Sequence, residues 1–215
     1  TTLAVGTDKA VSPFNTYGAT KLLMERLFIS ANYYKGPRNS NFLSVRYGNV
    51  LGSRGSIVPT FIDQITTGKK ITVTAPEMTR FTITMDQAVD LVMRSLTNGV
   101  GGEIFVPKLK AYKVKTMTDA IMELFDAKNE VEIISARSGE KYHESLISKD
   151  EIRNTFENDV DFVLLDKLTQ STNPASASTL TPVNYKDEYS SEHATLLSKQ
   201  EIKDILIQEQ LISQN

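Results

Sequence analysis

The sequence predicts an α/β protein: a Rossmann-like parallel sheet early in the chain, then a smaller mixed α/β lobe. Three observations lead there. Thr1-Thr2-Leu3-Ala4-Val5-Gly6-Thr7 is β-branched and apolar, as a buried strand is, and Phe42 to Tyr47 is a second such run. Between them Leu22, Leu23, Leu27 and Ile29 are among the apolar positions of a helix expected from about Tyr17 to Tyr33 and stopped by Gly36-Pro37. A strand–helix–strand order joins parallel strands by a right-handed crossover. Beyond about residue 70, short strands alternate with helices, so residues 1–70 are assigned to the Rossmann-like domain. Residues 71–215 form mainly the lobe and tail, with the chain returning to the first domain.

The elements follow in order. Asp8 to Thr16 is a loop containing Pro13 and Asn15. The loop Gly48 to Gly55 has three glycines and leads into a helix around Ile57 to Thr67. Ile71 to Thr74 and Arg80 to Thr84 read as short strands. Thr84-x-x-Gln87 has the form of a capping box ahead of Ala88, Val89, Leu91, Val92 and Leu96 at helical spacing. Glu103 to Val106 is a strand, and Thr116-x-x-Asp119 is read as opening a helix over Val114 to Phe125. Val131 to Ser135 and Phe162 to Leu165 are further strands. Gln170 to Thr181, rich in Ser, Thr and Ala, is expected as a surface excursion. Ser198-x-x-Glu201 caps a last helix bearing Ile202, Ile205 and Leu206. Met24, Met78, Met93 and Met122 sit among apolar spacings and are read as core.

Composition narrows the function classes. The chain of 215 residues carries 24 basic and 26 acidic side chains, a formal net charge of -2, which gives no electrostatic reason for nucleic acid or an anionic membrane as partner. With no cysteine and only His143 and His193, thiolate chemistry and a multi-histidine zinc site are excluded, and no metal is expected. No apolar run approaches the roughly 20 residues of a membrane span, and no signal peptide opens the chain, so a cytoplasmic location is the default. Thr1 to Thr7 reads as a core strand without an initiator methionine, and this points to sequence upstream.

The chemistry concentrates near the start. Tyr17-x-x-x-Lys21 places a phenol and an ammonium one turn apart on the same helix face. A cation beside a phenol stabilises the phenolate, and a tyrosine tuned this way removes a proton from a hydroxyl while hydride leaves its carbon. Thr7-Asp8-Lys9 lies just past a strand end, the edge where open parallel sheets bind ligands. Thr7 is placed to hydrogen-bond the same hydroxyl. Alone the four-residue spacing is a weak signal; its setting after Thr-Asp-Lys strengthens it.

The stretch Thr7-Asp8-Lys9-Ala10-Val11-Ser12-Pro13-Phe14-Asn15-Thr16-Tyr17-Gly18-Ala19-Thr20-Lys21 closely resembles the inverting UDP-N-acetylglucosamine 4,6-dehydratases, in the polysaccharide-biosynthesis branch of the extended short-chain dehydrogenases. The resemblance continues through Val45-Arg46-Tyr47-Gly48-Asn49-Val50-Leu51-Gly52-Ser53-Arg54-Gly55-Ser56 and Met78-Thr79-Arg80-Phe81. It resumes at Gly102 to Lys108, at Arg137-Ser138-Gly139-Glu140-Lys141-Tyr142-His143-Glu144, and at Tyr189-Ser190-Ser191 with Leu197-Ser198. Membrane-anchored, retaining members of the family usually carry Met at the Tyr17 position, so Tyr17 favours the short inverting form. Ser12 replaces the family's usual Asn, and Ser138 replaces a Pro, a change expected to loosen the loop carrying Glu140.

The resemblance implies a reaction that loses water and leaves the nicotinamide cofactor, NADP or NAD, unchanged overall. Tyr17 takes the proton of the 4-hydroxyl, Lys9 is the candidate base at C5, and Asp8 is the acid for the departing 6-hydroxyl. A lysine serves as base only where burial or a cation such as Lys21 favours its neutral form; otherwise Lys9 is a fixed charge holding Asp8. Thr7, Asp8, Lys9, Tyr17 and Lys21 are thus the implied catalytic set. Tyr17, Lys21, Tyr47, Gly48, Asn49 and Val50 are implied at the cofactor, with Lys21 on its ribose. Asn49, Arg54, Arg80, Arg137 and Glu140 are implied at the UDP-sugar, where the arginine fork suits a diphosphate. Arg54 is equally readable as a solvated loop residue, and His143 as a structural hydrogen-bonder.

The Gly-x-Gly-x-x-Gly turn that cradles a dinucleotide is absent, so the chain is expected to be the carboxyl-terminal part of a longer protein, and the resemblance implies a homo-oligomer. Two rival readings remain. One is an epimerase or ketoreductase on the same scaffold, and the other a non-catalytic fragment that retains nucleotide-sugar binding.

Overall fold

The computed structural model describes residues 1–136, 138–165, 180–185 and 187–212. In chain order it begins with β1 (Thr2–Val5), a 3-10 turn (Asp8–Ala10), α1 (Thr16–Tyr34), β2 (Phe42–Val45), β3 (Asn49–Val50) and α2 (Ile57–Thr66). There follow β4 (Ile71–Val73), β5 (Thr79–Ile83), α3 (Met85–Asn98), β6 (Glu103–Pro107), β7 (Ala111–Lys113) and α4 (Val114–Leu124). The remainder is β8 (Val131–Ile133), β9 (Ser145–Ile147), α5 (Lys149–Ile152), β10 (Thr155–Glu157), β11 (Asp161–Leu165), β12 (Thr181–Pro182), β13 (Tyr189–Ser190) and α6 (Lys199–Gln208).

The chain divides into two compact units. The first comprises Thr1–Gly48, Asp86–Lys108 and Ser145–Ser190, and the second Asn49–Met85, Leu109–Glu144 and Ser191–Asn215.

The first unit is built on a sheet of order β1-β2-β6-β11-β10-β12. β1 runs parallel to β2, with Thr2 opposite Phe42 and Val5 opposite Val45, and β2 runs parallel to β6. β11 and β10 then add antiparallel strands. The predicted α/β class with a parallel sheet is what the structure shows; the sheet as a whole is mixed. Val45, Leu91, Phe105, Val163 and Leu165 form its core. α3 is held to β11 by the Arg94 guanidinium, which donates to both oxygens of Asp161 at 3.0 and 2.9 Å.

The second unit combines a sheet of order β3-β5-β7, the parallel pair β4–β8, and α2, α4 and α6. Val58, Phe61, Ile71, Met78, Tyr112, Met117, Ile121 and Leu206 are among its buried side chains. Gly52 has φ 71°, a left-handed conformation that glycine adopts without strain, and a Cβ there would come within 2.3 Å of Leu211 Cδ2, so the loop after β3 packs closely on the segment following α6.

Several local expectations are corrected. α4 begins at Val114 after Lys113, which gives no side-chain cap; Thr116 lies inside the helix, and Asp119 accepts instead from Lys115 Nζ at 2.9 Å. Leu23 and Leu27 of α1 are 60% and 61% exposed, because Gly18, Glu25 and Ile29 form the buried face of the helix. On α3 it is Ala88, Leu91 and Ser95 that are buried, which turns Val89, Met93 and Leu96 outward; Met93 is therefore not core. The Ser198 capping box is present with both reciprocal bonds, and a second box, Ser148 with Glu151, opens α5. Residues 170–179 of the expected surface excursion lie outside the described residues. Among those described, no helix is long and apolar enough to cross a membrane.

Candidate active site

Thr7 leaves β1 in an extended conformation (φ -157°, ψ 155°) and caps the 3-10 turn that follows. Its hydroxyl donates to Asp8 Oδ1 at 2.8 Å, and Lys9 Nζ donates to the same oxygen at 2.9 Å. Asp8 is completely buried, and its backbone N–H donates to the Tyr47 carbonyl at 3.1 Å, tying the turn to the end of β2. Its Oδ2 accepts no hydrogen bond among the described residues. A buried carboxylate oxygen left this way costs free energy, and a hydroxyl brought to it would recover part of that cost.

The chain reverses through Ser12, whose φ of 44° lies in the left-handed region, and enters α1 at Asn15. The Asn15 side chain accepts from Gly18 N at 2.9 Å. A Cβ on Gly18 would stand 2.3 Å from the Lys9 carbonyl oxygen and 3.0 Å from Pro13 Cβ. The first turn of α1 therefore rests directly on the backbone of the 3-10 turn. Tyr17, 55% exposed, and the half-buried Lys21 follow on that helix, with Lys21 Nζ 5.9 Å from the Tyr17 ring centroid. The structure thus brings Thr7, Asp8, Lys9, Tyr17 and Lys21 into adjoining parts of one unit.

Tyr47 and Gly48, just past β2, close the first segment of that unit. Tyr47 is half-buried, and burial pushes its hydroxyl up from the ordinary tyrosine value, so it stays protonated and can donate a hydrogen bond. Tyr17, with the Lys21 ammonium over its ring, and the protonated Tyr47 are the hydroxyl and ammonium donors that these positions offer.

The second unit holds the residues assigned to the sugar nucleotide. Asn49 and Val50 pair in parallel with Thr82 and Ile83 of β5. Arg54 is exposed in the glycine loop. Arg80 is largely buried: its Nη1 donates to the carbonyls of Thr79 at 2.8 Å and Tyr142 at 2.9 Å, and its Nη2 pairs with Glu140 Oε1 at 3.3 Å. Arg80 and Glu140 are thus brought together, and Arg80 fastens the 140–142 loop to β5. Arg137 lies outside the described residues. His143 Nδ1 meets Thr79 Oγ1 at 2.8 Å, a structural contact that the buried Ser191 hydroxyl extends.

Sequence reasoning passed over Gly18, Glu25, Arg46 and Glu151. Gly18 left a signal, since a glycine inside a helix costs about 1 kcal/mol and wants a reason. The other three meet only through the fold.

A profile of the family described as polysaccharide biosynthesis protein matches residues 1–165. An uncharacterized membrane protein of Methanocaldococcus jannaschii is 41% identical over 211 residues, covering 95% of this chain and 60% of that protein. A protein of Rickettsia massiliae named UDP-glucose 4-epimerase is 43% identical over 150 residues, covering 70% of this chain and 44% of that protein. The chain therefore spans about half the length of these curated relatives. Among solved structures, Pen from Bacillus thuringiensis superposes with a TM-score of 0.83 at 35% identity, over 96% of this chain and 61% of that one. A dTDP-glucose 4,6-dehydratase from Streptomyces venezuelae, with a TM-score of 0.59, 17% identity and coverage of 65% and 49% respectively, shares the Rossmann-like fold. A family match running from the first strand through β11, over the whole Thr7-to-Lys21 segment, places this chain in the polysaccharide biosynthesis protein family.

Proposed function

We propose that the protein is a nucleotide-sugar dehydratase that removes water across C5 and C6 of UDP-N-acetylglucosamine, with inversion at C5, to give a 4-keto-6-deoxy sugar. The observation that carries this reading is the Asp8–Lys9 pair: a fully buried carboxylate with one oxygen unpartnered, and an amine bound to the other. Moving a hydride to and from C4 needs only the tyrosine and lysine. Elimination needs, in addition, a base for the C5 proton and an acid for the C6 oxygen.

Tyr17 accepts the proton of the C4 hydroxyl, and Thr7 and Lys21 hold the oxygen and phenol in place. Bound nicotinamide, NADP or NAD, supplies the hydride acceptor at C4 and the hydride donor at C6. Once C4 is a ketone, the C5 proton is acidic and passes to Lys9. A proton passed from Lys9 to Asp8 along their 2.9 Å hydrogen bond leaves Lys9 neutral to take the C5 proton and makes Asp8 the acid that protonates the C6 oxygen, which leaves as water. Reprotonation of C5 from the opposite face gives the inverted product. Asn49, Arg54, Arg80, Arg137 and Glu140 are assigned to the UDP moiety.

The decisive assay supplies UDP-N-acetylglucosamine and NADP to the protein in its full natural length, with product identified by NMR and mass spectrometry. A 4-keto-6-deoxy product lighter by one water is expected. A second reading, a 4-epimerase, is favoured by the identity to the Rickettsia protein of that name. It predicts a 4-epimer of unchanged mass.

A further inference from the structure

α1 carries Tyr17 and Lys21; among the described residues its fully buried positions are Gly18, Glu25 and Ile29, and the half-buried Phe28 packs edge-on against Phe42 of β2. Glu25 follows Tyr17 by eight positions and Lys21 by four, on neighbouring turns of one face. Its carboxylate receives a two-pronged contact from Arg46, Nε to Oε2 at 3.0 Å and Nη2 to Oε1 at 2.5 Å, with both side chains fully buried. The remaining donors are also used. Nη1 donates to the Leu146 carbonyl at 2.8 Å and to Glu151 Oε2 at 3.0 Å, and Nη2 donates to Glu151 Oε1 at 3.1 Å. Glu151 in turn accepts from Ser148 N at 3.0 Å and from Arg26 at 3.0 Å. A Cβ at Gly6 would stand 2.7 Å from the Val45 carbonyl and 3.5 Å from Glu25 Oε2, so the site leaves no slack on that side.

One guanidinium therefore joins three pieces of the first unit. These are the end of β2 directly before Tyr47, the helix bearing Tyr17 and Lys21, and the β9–α5 segment, whose strand packs on the Asp8–Ala10 turn. Burying such a group brings little net stability, because desolvation offsets the attraction, and an apolar replacement of similar volume is often neutral. What a planar, two-pronged contact supplies that an apolar one does not is a fixed rotation and a fixed axial place for the helix.

We propose that Arg46, acting through Glu25, is a positioning residue that sets the seat of α1 and so places Tyr17 and Lys21 relative to Thr7 and Asp8. Its kinetic consequence rests on the dehydratase reading, in which Tyr17 is the proton acceptor. A single Glu25→Gln change leaves a buried cation short of its partner, which mixes unfolding with misplacement. The informative protein is the double variant R46M/E25L of the full-length enzyme, in which both members of the pair become apolar. It is expected to stay folded but to melt below wild type, because Glu151 loses Arg46 and keeps only Arg26 and Ser148, to keep KM for the UDP-sugar within about twofold, and to lose roughly 10- to 100-fold in kcat. R46K, which keeps the charge but replaces the fork by a point contact, is expected to show the same split between kcat and KM. Wild-type kcat in a folded double variant, or in R46K, overturns the proposal.

A readout independent of turnover is the 19F resonance of 3-fluorotyrosine installed at position 17. The proposal expects it to shift in both variants, and an unmoved resonance overturns it. If the wild-type enzyme yields no dehydrated product, the functional reading fails by itself, and this resonance still decides the positioning role.

Discussion

Asp8 is enclosed while the side chain of Lys9 stays 38% exposed, and the two share a single carboxylate oxygen. In the proposed reaction Oδ2 is the oxygen assigned to the substrate and the more exposed amine is the mobile member of the pair. Two neighbouring residues set how well the turn is held. Ser12, at φ 44°, occupies a conformation that asparagine tolerates better than serine, which gives a physical reason for the asparagine usual at this position in the dehydratases the sequence resembles. Ser12→Asn is expected to raise stability by about 0.5–1 kcal/mol, read as a higher urea midpoint at unchanged slope. Gly18→Ala is expected to do the reverse, by about 1–3 kcal/mol, since its methyl would press on a backbone oxygen that cannot yield without shifting the turn. A variant as stable as wild type would mean that α1 is not seated as described. The Thr7-to-Lys21 spacing was fully legible in the sequence because it is local. Arg46 was not, since its partners Glu25 and Glu151 lie 21 and 105 positions away and the surrounding apolar letters suggest an ordinary strand.

Capping motifs show how far element-scale reading carries. The same pattern, hydroxyl then acid three residues on, was read correctly at Ser198, wrongly at Thr116 and missed at Ser148. The pattern works only where the chain ahead of it is extended. At Thr116 the strand β7 runs straight into α4, and the helix has already started two residues earlier. Ser198→Ala is accordingly expected to cost about 1 kcal/mol in thermal or urea unfolding, whereas Thr116→Ala should leave stability within about 0.5 kcal/mol. Equal losses at the two sites would contradict this account. Apolar periodicity located α1 and α3 but not their buried faces. In α1 a polar anchor and a glycine, rather than the leucines, face the sheet.

For the whole molecule, stability in acid follows from carboxylates held low. Burial opposes the charge of Glu151, but Arg46, Ser148 and Arg26 outweigh it and bring the carboxyl from the ordinary 4.5 down to about 2. Hydrogen bonds from Lys199 and Lys203 bring Glu123 to about 2, and bonds from Lys110 and Ser198 do the same for Glu201. Each group binds its proton more readily unfolded than folded. Its contribution is therefore complete above pH 4.5 and is lost as pH falls from there towards 2. Glu151 lies in the first unit and the exposed Glu123 and Glu201 in the second. Added salt should therefore weaken the second contribution and spare the first. Acid titration followed by circular dichroism at low and at about 0.5 M salt checks both the pH window and its salt dependence. A midpoint above pH 4.5 would contradict the assignment.

The Rossmann-like class was readable from the first strand–helix–strand repeat, because parallel pairing leaves a period-based trace. A return of the chain to the first domain was expected from the sequence, but the positions of the crossings, after residues 48, 85, 108, 144 and 190, leave no compositional boundary. In the proposed function the Thr7-Asp8-Lys9 turn and the Tyr17–Lys21 pair together form a dehydratase centre. Its most direct test is the reaction of the full-length protein with UDP-N-acetylglucosamine in deuterium oxide, with the product followed by NMR. The account predicts a 4-keto-6-deoxy sugar carrying deuterium at an inverted C5, and loss of that product when Lys9 is changed to alanine. A 4-epimer with its C5 proton intact would contradict it.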